Sequence, residues 1–383
     1  MAERELWDPL LDPSRAASSV RRFPRRRACC LLSVALLLVA LLAVLVSRRG
    51  KASSEDEATY RVWLVGSETD AAVPSTPGAL LIGGGTIPDD AFNWQLGHCP
   101  FGDFVVLRTS GDDSYNQPLY DLSLASGSPL NSVRTILFYG RLAAFDAEVL
   151  RMVSSSECVF FAGGDQSLYV SFFAGTPLQE LLQSKLSSTT MSGTSAGLAI
   201  LGHYVYAAFE GSALSALALQ DPYYEPDMSL DNFAPALLAV PFLGTVFTDT
   251  HFVKQDRMGR LFAFLSRELR DLNVPVGAIR GLGVDEESFV ALDVTTGRGT
   301  VGGKGTGAYL CTPTEEAEVL KPGTPLTMKN VACVRLDSKR KDVFDFGTFE
   351  GDGDRYTLSV VGGEFTSSPY GPDGGNSTSH NHN

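Results

Sequence analysis

The feature that most constrains the fold is a series of short apolar runs, each ending in a turn that contains glycine. The runs consist of aliphatic, β-branched and aromatic residues without polar alternation, which is the pattern of strands buried on both faces. They cover residues 79–82, 104–108, 134–138 and 158–161. Helical patterns such as residues 142–153 separate several of them. This alternation predicts an α/β fold with a doubly wound, mostly parallel sheet in three layers, followed by added β-hairpins near the C-terminus.

The pentapeptide Gly193-Thr194-Ser195-Ala196-Gly197 follows a β-favouring stretch and precedes an apolar run with a helical pattern. In that context Gly-x-Ser-x-Gly forms a nucleophile elbow, because the glycines permit a tight turn and leave the Ser195 hydroxyl open. A loop rich in glycine and serine is the alternative. Ligands bind beyond the carboxyl ends of parallel strands. Because Ser195 and the turn at 163–166 both follow predicted strands, the elbow is favoured.

A nucleophilic serine needs a base, and three histidines lie before the C-terminal tail. His98 lies in a loop that offers little support for a catalytic role. His203 lies on what we predict to be the helix after Ser195, about 12 Å further along its axis. His251 directly follows a predicted strand and can reach the crevice, so it is the favoured base.

Three acids could orient His251. Asp249 is close in sequence, but an extended chain does not bring residues 249 and 251 into contact. Asp285 and Glu286 follow another predicted strand, at 276–284, and are equally well placed. The residue pattern alone leaves these three alternatives open.

Arginine-rich segments flank a predominantly apolar run at 28–46 that contains no charged residue. The run is close to the roughly 20 residues that a helix needs to cross a bilayer. We therefore expect a transmembrane signal anchor. The heavier positive cluster precedes it, which predicts a cytosolic tail at 1–27 and a lumenal or extracellular domain, in type II orientation. A cleaved signal peptide and a secreted protein are the alternative.

Composition suggests the remaining boundaries. Residues 47–77 are polar and are expected to form a stalk with one strand at 60–65, the hydrolase domain is expected at 78–366, and the Gly/Ser/Asn/His-rich segment 367–383 is expected to be disordered. The glycine-rich stretch 297–307 is expected to be a hairpin turn. Asn376 begins a glycosylation sequon.

Net charge, motifs and cysteine positions indicate which partners, cofactors and disulfides to expect. The net charge of −13 argues against a nucleic-acid partner. No motif indicates a metal, nucleotide or flavin, so no cofactor is expected. Cys311 and Cys333 are predicted to flank a hairpin and are the disulfide pair to test first, whereas Cys158, in a predicted buried strand, is expected to be inert packing and Cys99 is left unassigned.

Four ordered motifs resemble the cyanophycinase family of serine peptidases, which is related to aspartyl dipeptidases and has a class I glutamine-amidotransferase-like fold. The motifs are Phe161-Ala162-Gly163-Gly164-Asp165-Gln166, the pentapeptide at 193–197, Asp249-Thr250-His251-Phe252, and Gly283-Val284-Asp285-Glu286. The resemblance covers about residues 78–310. It implies Ser195 as nucleophile, His251 as base and Glu286 as orienting acid. It also implies an oxyanion hole from the amide of Ala196 and an amide of the turn that contains Gly164 and Asp165.

The family cleaves cyanophycin, a polyaspartate that carries arginine on its side-chain carboxyls, into β-aspartyl-arginine dipeptides. The resemblance implies a substrate pocket made of Gln166, Asp249, Thr250, Arg257 and Arg260. Cations near a helix start are disfavoured by the helix dipole unless an anion compensates, which a substrate carboxylate could do. A solvated arginine pair, bridged to Asp256, is the alternative. The chain departs from the family pattern at Thr250, where the family has Gln, and at Gln255, where it has Arg.

Taken together, the sequence predicts an exopeptidase-like serine peptidase that hydrolyses β-linked aspartyl peptides through an acyl-enzyme. An α-aspartyl dipeptidase and a membrane-anchored, non-catalytic binding protein are the alternatives. The expected partners are the peptide substrate and the membrane, through residues 28–46, with a homodimer left open.

Overall fold

The computed structural model describes residues 58–371. The predictions for residues 1–57 and 372–383, which include the cytosolic tail, the membrane span at 28–46 and the Asn376 sequon, lie outside the described residues. Within 58–371, no helix combines the length and the apolar character that crossing a membrane requires.

The α-helices of this region are α1 Asp89–Leu96, α2 Asn116–Ala125, α3 Ala147–Ser154, α4 Gln166–Phe173, α5 Pro177–Lys185, α6 Ala196–Ala199, α7 Ser215–Gln220 and α8 Met258–Arg270, and short 3-10 helices lie at Arg141–Phe145 and Leu230–Asn232. Its strands are β1 Tyr60–Gly66, β2 Gly78–Ile82, β3 Asp103–Arg108, β4 Ser132–Phe138, β5 Cys158–Phe161, β6 Thr190–Thr194, β7 Tyr204–Tyr206, β8 Phe233–Pro235, β9 Val246–Asp249, β10 Arg280–Val284, β11 Ser288–Leu292, β12 Arg298–Gly303, β13 Ala308–Thr312, β14 Val319–Lys321, β15 Thr324–Leu336, β16 Val343–Asp345, β17 Glu350–Gly351, β18 Asp354–Val361 and β19 Glu364–Phe365.

The strands form two sheets. The first has the order β1-β4-β3-β5-β6-β2-β11-β12-β16-β17. Its centre, from β4 to β2, is parallel, as the buried apolar runs predict. The strands at both of its flanks pair antiparallel. The turns after β2, β5 and β6 therefore meet at one edge of the sheet.

The second sheet has the order β19-β18-β15-β13-β10-β9-β7-β8, with β14 beside β15. Only β7, β9 and β10 are parallel to one another among its described strands. The α/β class is confirmed, but the expectation of one mostly parallel sheet is wrong. Beyond residue 280 the chain runs through hairpins, and antiparallel neighbours need no crossover helix.

The strands of the first sheet send alternate side chains to its two faces. Each face is buried under its own apolar cluster. Leu80 and Ile82 pack into an apolar cluster with α1 and α2. Ala79 and Leu81 pack into a second cluster that also contains side chains of α3–α5 and of the second sheet. A third cluster joins the other face of the second sheet to α8, whose apolar side includes Leu261.

Three segments differ from their predicted roles. Residues 60–66, assigned to the stalk, form β1 and pair along their length with β4, so this sheet begins near residue 60. Residues 298–303 form a strand instead of a turn, because Gly299 and Gly302 leave room for the rings of Phe346 and Phe289. Tyr370, in the segment expected to be disordered, is only 6% exposed. The composition of the segment did not predict this, because a single buried aromatic residue hardly changes it.

Two disulfides are present in the described domain. Cys311 and Cys333 pair across the neighbouring strands β13 and β15, as expected. Cys158 is bonded to Cys99 and is not inert packing. Its burial in β5 suggested packing, but the chain after α1 brings Cys99 against the same strand, with Cα atoms 6.0 Å apart.

Candidate active site

Ser195 lies on the sharp turn between β6 and α6, with φ 52° and ψ −116°. A non-glycine residue rarely adopts this conformation, which stores strain where a side chain must project. The flanking glycines are required by close contacts. A Cβ on Gly193 would lie 2.2 Å from the Gly197 carbonyl oxygen, and one on Gly197 would lie 2.1 Å from the Phe161 carbonyl oxygen. The nucleophile-elbow geometry predicted from the pentapeptide is therefore present.

The helix after Ser195 is much shorter than the apolar pattern suggests, since α6 ends at Ala199. His203 consequently lies in the turn before β7 and not on a helix with Ser195. It packs edge-on against the ring of Tyr204. His98 also has a local role, since its Nδ1 lies 2.8 Å from the Trp94 carbonyl oxygen.

His251 follows β9 and lies beside Ser195. Its Nε2 is 2.7 Å from Ser195 Oγ, and its Nδ1 is 2.8 Å from Glu286 Oε1. The side chains of His251 and Glu286 are 17% and 26% exposed, so both groups face a partly open crevice. The arrangement can carry a proton from the serine to an imidazole whose other nitrogen is held by a carboxylate.

The two other acids that the sequence left open have different partners. Asp285 is buried and accepts hydrogen bonds from the amides of Val253 and Lys254 and from the Thr306 hydroxyl, at 2.9, 3.0 and 2.7 Å. It thus holds the loop after His251. Asp249 forms a buried ion pair with Arg260. The structure therefore places Glu286, and neither aspartate, on the imidazole.

The turn Gly83-Gly84-Gly85 after β2 supports this pair and was missed as a part of the site. The Gly83 carbonyl accepts the His251 amide at 2.8 Å, and the Gly84 carbonyl accepts the Glu287 amide at 2.9 Å. A Cβ on Gly84 would lie 2.3 Å from His251 Cε1, and one on Gly85 would lie 3.1 Å from Glu286 Oε2. Three consecutive glycines after a buried strand were the available signal.

The turn after β5, which the family resemblance implies as part of an oxyanion hole, lies against the serine. A Cβ on Gly163 would lie 3.5 Å from Ser195 Cβ. The Asp165 side chain caps α4 by accepting a hydrogen bond from the Ser167 amide at 2.8 Å. Among residues 58–371, the amides of Gly164, Asp165 and Ala196 donate none of the backbone hydrogen bonds that join different elements or close turns. These donors are free to meet a developing negative charge.

Four of the five residues of the implied substrate pocket are in contact with one another. Asp249 pairs with Arg260, its Oδ1 lies 3.6 Å from the Arg257 guanidinium, and Arg257 in turn contacts Thr250. Arg260 is 4% exposed, and its guanidinium is occupied by Asp249, the Ser212 hydroxyl and the Ala213 carbonyl. The anion that compensates this cation near the start of α8 is therefore Asp249, and not Asp256. Gln166, the fifth residue, reaches the Tyr206 carbonyl at 3.5 Å.

Arg257 is the more open of the two arginines, with a side chain 16% exposed. Its guanidinium donates to the Thr250 carbonyl at 3.0 Å, to the Thr250 hydroxyl at 2.9 Å and to the Gln255 side chain. Burial, and then the charge of Arg260, lower its pKa to about 10, so it remains cationic at neutral pH. Thr250 and Gln255, the two positions that depart from the family pattern, therefore both accept hydrogen bonds from Arg257.

Together, the α/β fold and a strained serine that is hydrogen-bonded to a histidine define a serine hydrolase. A cyanophycinase of Geminocystis herdmanii is 30% identical to this chain over 214 residues, which are 53% of this chain and 71% of that protein. A cyanophycinase of Trichormus variabilis is 28% identical over 218 residues, 52% of this chain and 65% of that protein. The chain belongs to the cyanophycinase family of serine peptidases.

No protein-family model matches the chain. A solved structure of a peptidase from an acI-B1 Actinobacterium has a TM-score of 0.39 and 16% sequence identity, and covers 62% of this chain and 91% of that one.

Proposed function

We propose that this peptidase cleaves its substrate through an acyl-enzyme on Ser195, with His251 as general base and Glu286 as the orienting acid. The continuous hydrogen-bond chain from Ser195 Oγ through His251 to Glu286, at 2.7 and 2.8 Å, is the observation that carries the proposal. His251 Nε2 takes the serine proton as Oγ attacks the scissile carbonyl. The same nitrogen then returns the proton to the leaving amine, and water repeats the sequence to release the acyl group.

The negative charge that forms on the attacked carbonyl needs donors beside Ser195. We assign this role to the amide of Ala196 together with an amide of the Gly164-Asp165 segment. Both lie next to the serine in the fold, and neither is used to join other elements. Donors that are fixed before the reaction stabilise the oxyanion without reorganisation.

For the substrate we propose β-linked aspartyl peptides, of which cyanophycin is the family example. Arg257 supports this choice, because a partly buried cation near the crevice can pair with a free carboxylate of the substrate. Arg260 is assigned a different role. It neutralises Asp249 and holds it in place, so it acts as a positioning residue for the pocket and does not itself bind the substrate.

The test is turnover by the domain beginning at residue 58, with β-aspartyl-arginine polymer compared against α-aspartyl dipeptides. Ser195→Ala should lower turnover by at least about a thousandfold with an unchanged melting temperature. Ser184→Ala, on the exposed side of α5, is the matched control and should retain activity. Retained turnover in Ser195→Ala, or failure of a fluorophosphonate to label Ser195 in the unaltered protein, would refute the mechanism. Faster cleavage of the α-aspartyl dipeptides would reassign the substrate.

We also propose that the domain resides in an oxidising compartment, in agreement with a type II membrane anchor at 28–46. The two disulfides support this location, because reducing compartments rarely maintain structural disulfides. Protease protection of the full-length protein in sealed microsomes tests it. A domain that is digested without detergent would place it on the cytosolic side.

A further inference from the structure

The 3-10 helix Arg141–Phe145 buries its small side chains and exposes its large apolar ones. Ala143 and Ala144 are fully buried, whereas Leu142 is 72% exposed, more than any other large apolar side chain of residues 58–371. Residues three apart lie on the same side of a 3-10 helix, so Leu142 shares its outward side with the last residue of the helix. The large, exposed apolar side chains of this segment, here named the apolar face, are Tyr139, Leu142 and Phe145.

The apolar face is held rigidly on the domain. The Arg141 guanidinium donates to the Ser171 and Gly175 carbonyl oxygens, at 3.0 and 3.2 Å, near the end of α4. The same guanidinium lies over the Phe145 ring, 5.8 Å from its centroid. The two buried alanines pack into the apolar cluster that covers this side of the first sheet. Large apolar side chains that are fixed side by side in water are typical of a surface that meets a partner or a membrane.

The chain enters the domain beside the apolar face. The Tyr139 amide donates to the Thr59 carbonyl oxygen at 2.9 Å, and Thr59 is the second of the described residues. Residues 47–57 separate this point from the apolar run at 28–46. Fully extended, a segment of that length spans at most about 40 Å. With residues 28–46 in a bilayer, the apolar face therefore stays within reach of the membrane surface.

The charges beside the apolar face favour a lipid surface. Among residues 58–371, Arg141 forms no ion pair. The neighbouring acids are already engaged. The Asp146 carboxylate accepts hydrogen bonds from the Glu148 and Val149 amides, at 2.8 and 3.1 Å, and Glu148 pairs with Arg151. An unpaired cation beside aromatic and aliphatic side chains suits the interface of a bilayer, where phosphates lie next to the acyl chains.

The size of the apolar face argues against a second copy of this chain as its occupant. Three side chains of this kind offer at most a few hundred Å², whereas each partner of a stable dimer buries about 800 Å². A membrane contact needs less area, because the anchor raises the effective concentration of the domain at the surface and the apolar face has only to set its orientation.

We propose that the apolar face rests on the bilayer that holds the anchor, with Leu142 and Phe145 among the lipid head groups and Arg141 beside a phosphate. The inference goes beyond the peptidase function and rests on the proposed membrane anchor at 28–46. It also brings the active site to the membrane. In the first sheet only β3 lies between β4, which ends beside Tyr139, and β5, which leads to the turn beside Ser195. Neighbouring strands are about 4.8 Å apart, so the ends of β4 and β5 lie about 10 Å from each other.

The test uses the full-length chain in phosphatidylcholine vesicles, with a tryptophan in place of an exposed leucine as the reporter. Leu142→Trp should lose at least about twice as much fluorescence to brominated phosphatidylcholine as Leu124→Trp, because an interfacial side chain reaches the bromine atoms. Leu124 is the matched control, since it is exposed near the end of α2, which leads to the opposite end of β4. Adding Phe145→Glu to Leu142→Trp should remove the extra quenching.

Three results would overturn the proposal. Equal quenching of Leu142→Trp and Leu124→Trp would show that the apolar face does not meet lipid. Shielding of Leu142→Trp from acrylamide without quenching by brominated lipid would assign the apolar face to a protein surface or to residues 47–57. Release of the full-length chain from the vesicles by alkaline carbonate would refute the anchor and this contact together. Labelling of Ser195 by a fluorophosphonate in the same vesicles tests the peptidase mechanism separately.

Discussion

Gly84 lies directly beneath the imidazole of His251. A Cβ at position 84 would meet all three of the nearest ring atoms between 2.3 and 2.8 Å, and the residue has φ +119°. We predict that Gly84→Ala displaces the ring and lowers kcat by about a hundredfold, since an error of about 1 Å in a catalytic group costs that much. Single-turnover kinetics at neutral pH would measure the effect.

Gly140→Ala is the control for that substitution. Gly140 has extended backbone and open space around its Cα, so alanine should be accepted without loss of activity. Equal activity in Gly84→Ala and Gly140→Ala would show that the turn after β2 does not set the position of His251.

Glu286→Gln should mainly lower catalytic activity, whereas Asp249→Asn should mainly lower the stability of the fold. Glu286→Gln removes the charge beside His251 and should lower kcat by about 10²–10⁴-fold with little loss of stability. Asp249→Asn leaves the buried guanidinium of Arg260 without its carboxylate, so it should lower the free energy of unfolding by about 3–5 kcal/mol. Urea unfolding and turnover, measured on both variants, separate the roles. A stable but inactive Asp249→Asn would contradict this assignment.

Tyr370 should help to hold the catalytic loop. Its hydroxyl lies 2.9 Å from Asp256 Oδ1 and 3.3 Å from both the Phe252 carbonyl oxygen and the Met258 amide nitrogen. Phe252 directly follows His251. We predict that Tyr370→Phe lowers stability by about 1–2 kcal/mol and also lowers kcat, because a buried hydroxyl with several partners is lost. Calorimetric melting and turnover provide the measurement.

Tyr139→Phe, at a tyrosine that is 53% exposed, should change neither quantity. A protein truncated after residue 366 should show at least the loss seen in Tyr370→Phe. Full activity and full stability of the truncated protein would exclude a role for this segment.

Glu268 should make the stability of the domain depend on pH. It is 2% exposed, and burial raises its pKa to about 7 from a usual value of 4.5. The folded state therefore retains a proton that the unfolded chain loses. Stability from this group is complete below about pH 4.5 and falls as the pH rises to about 7. Glu268→Gln should remove a decline of up to about 3 kcal/mol, measured by urea unfolding at pH 5 and pH 8.

The matched control is Glu180→Gln, at an exposed carboxylate of α5. It should leave the difference between pH 5 and pH 8 unchanged. An identical pH dependence in Glu268→Gln and the unaltered protein would refute the assignment.

The parallel centre of the first sheet was predictable because strands buried on both faces are apolar without interruption, as in residues 79–82 and 158–161. The second sheet was not, because hairpin strands with one polar face resemble turns when they contain glycine, as residues 298–303 do. The length of α6 also escaped prediction. An apolar run fits a buried turn and a helix equally well, and tertiary packing decides between them.

The sequence pattern predicted two members of the site but did not by itself identify the third. Ser195 and His251 follow from the elbow motif and from the strand end. The residues near His251 did not distinguish Glu286 from Asp249 and Asp285, since which carboxylate meets an imidazole depends on where loops of different strands converge. The resemblance to a family favoured Glu286, and the structure places it there. The pairing of Asp249 with Arg260 could not be predicted, because it depends on how α8 packs against β9 in the folded domain.

The Cys99–Cys158 bond has a practical consequence for anyone who handles this enzyme. It joins the chain just beyond α1 to β5, which leads into the turn at residues 163–166 beside Ser195. Both cysteines are fully buried, so thiol reagents added to a purification or assay buffer reach this tether only when the domain opens. A host that keeps cysteines reduced would instead leave α1 and β5 unlinked from the start, so specific activity should be compared only between samples produced in the same redox environment.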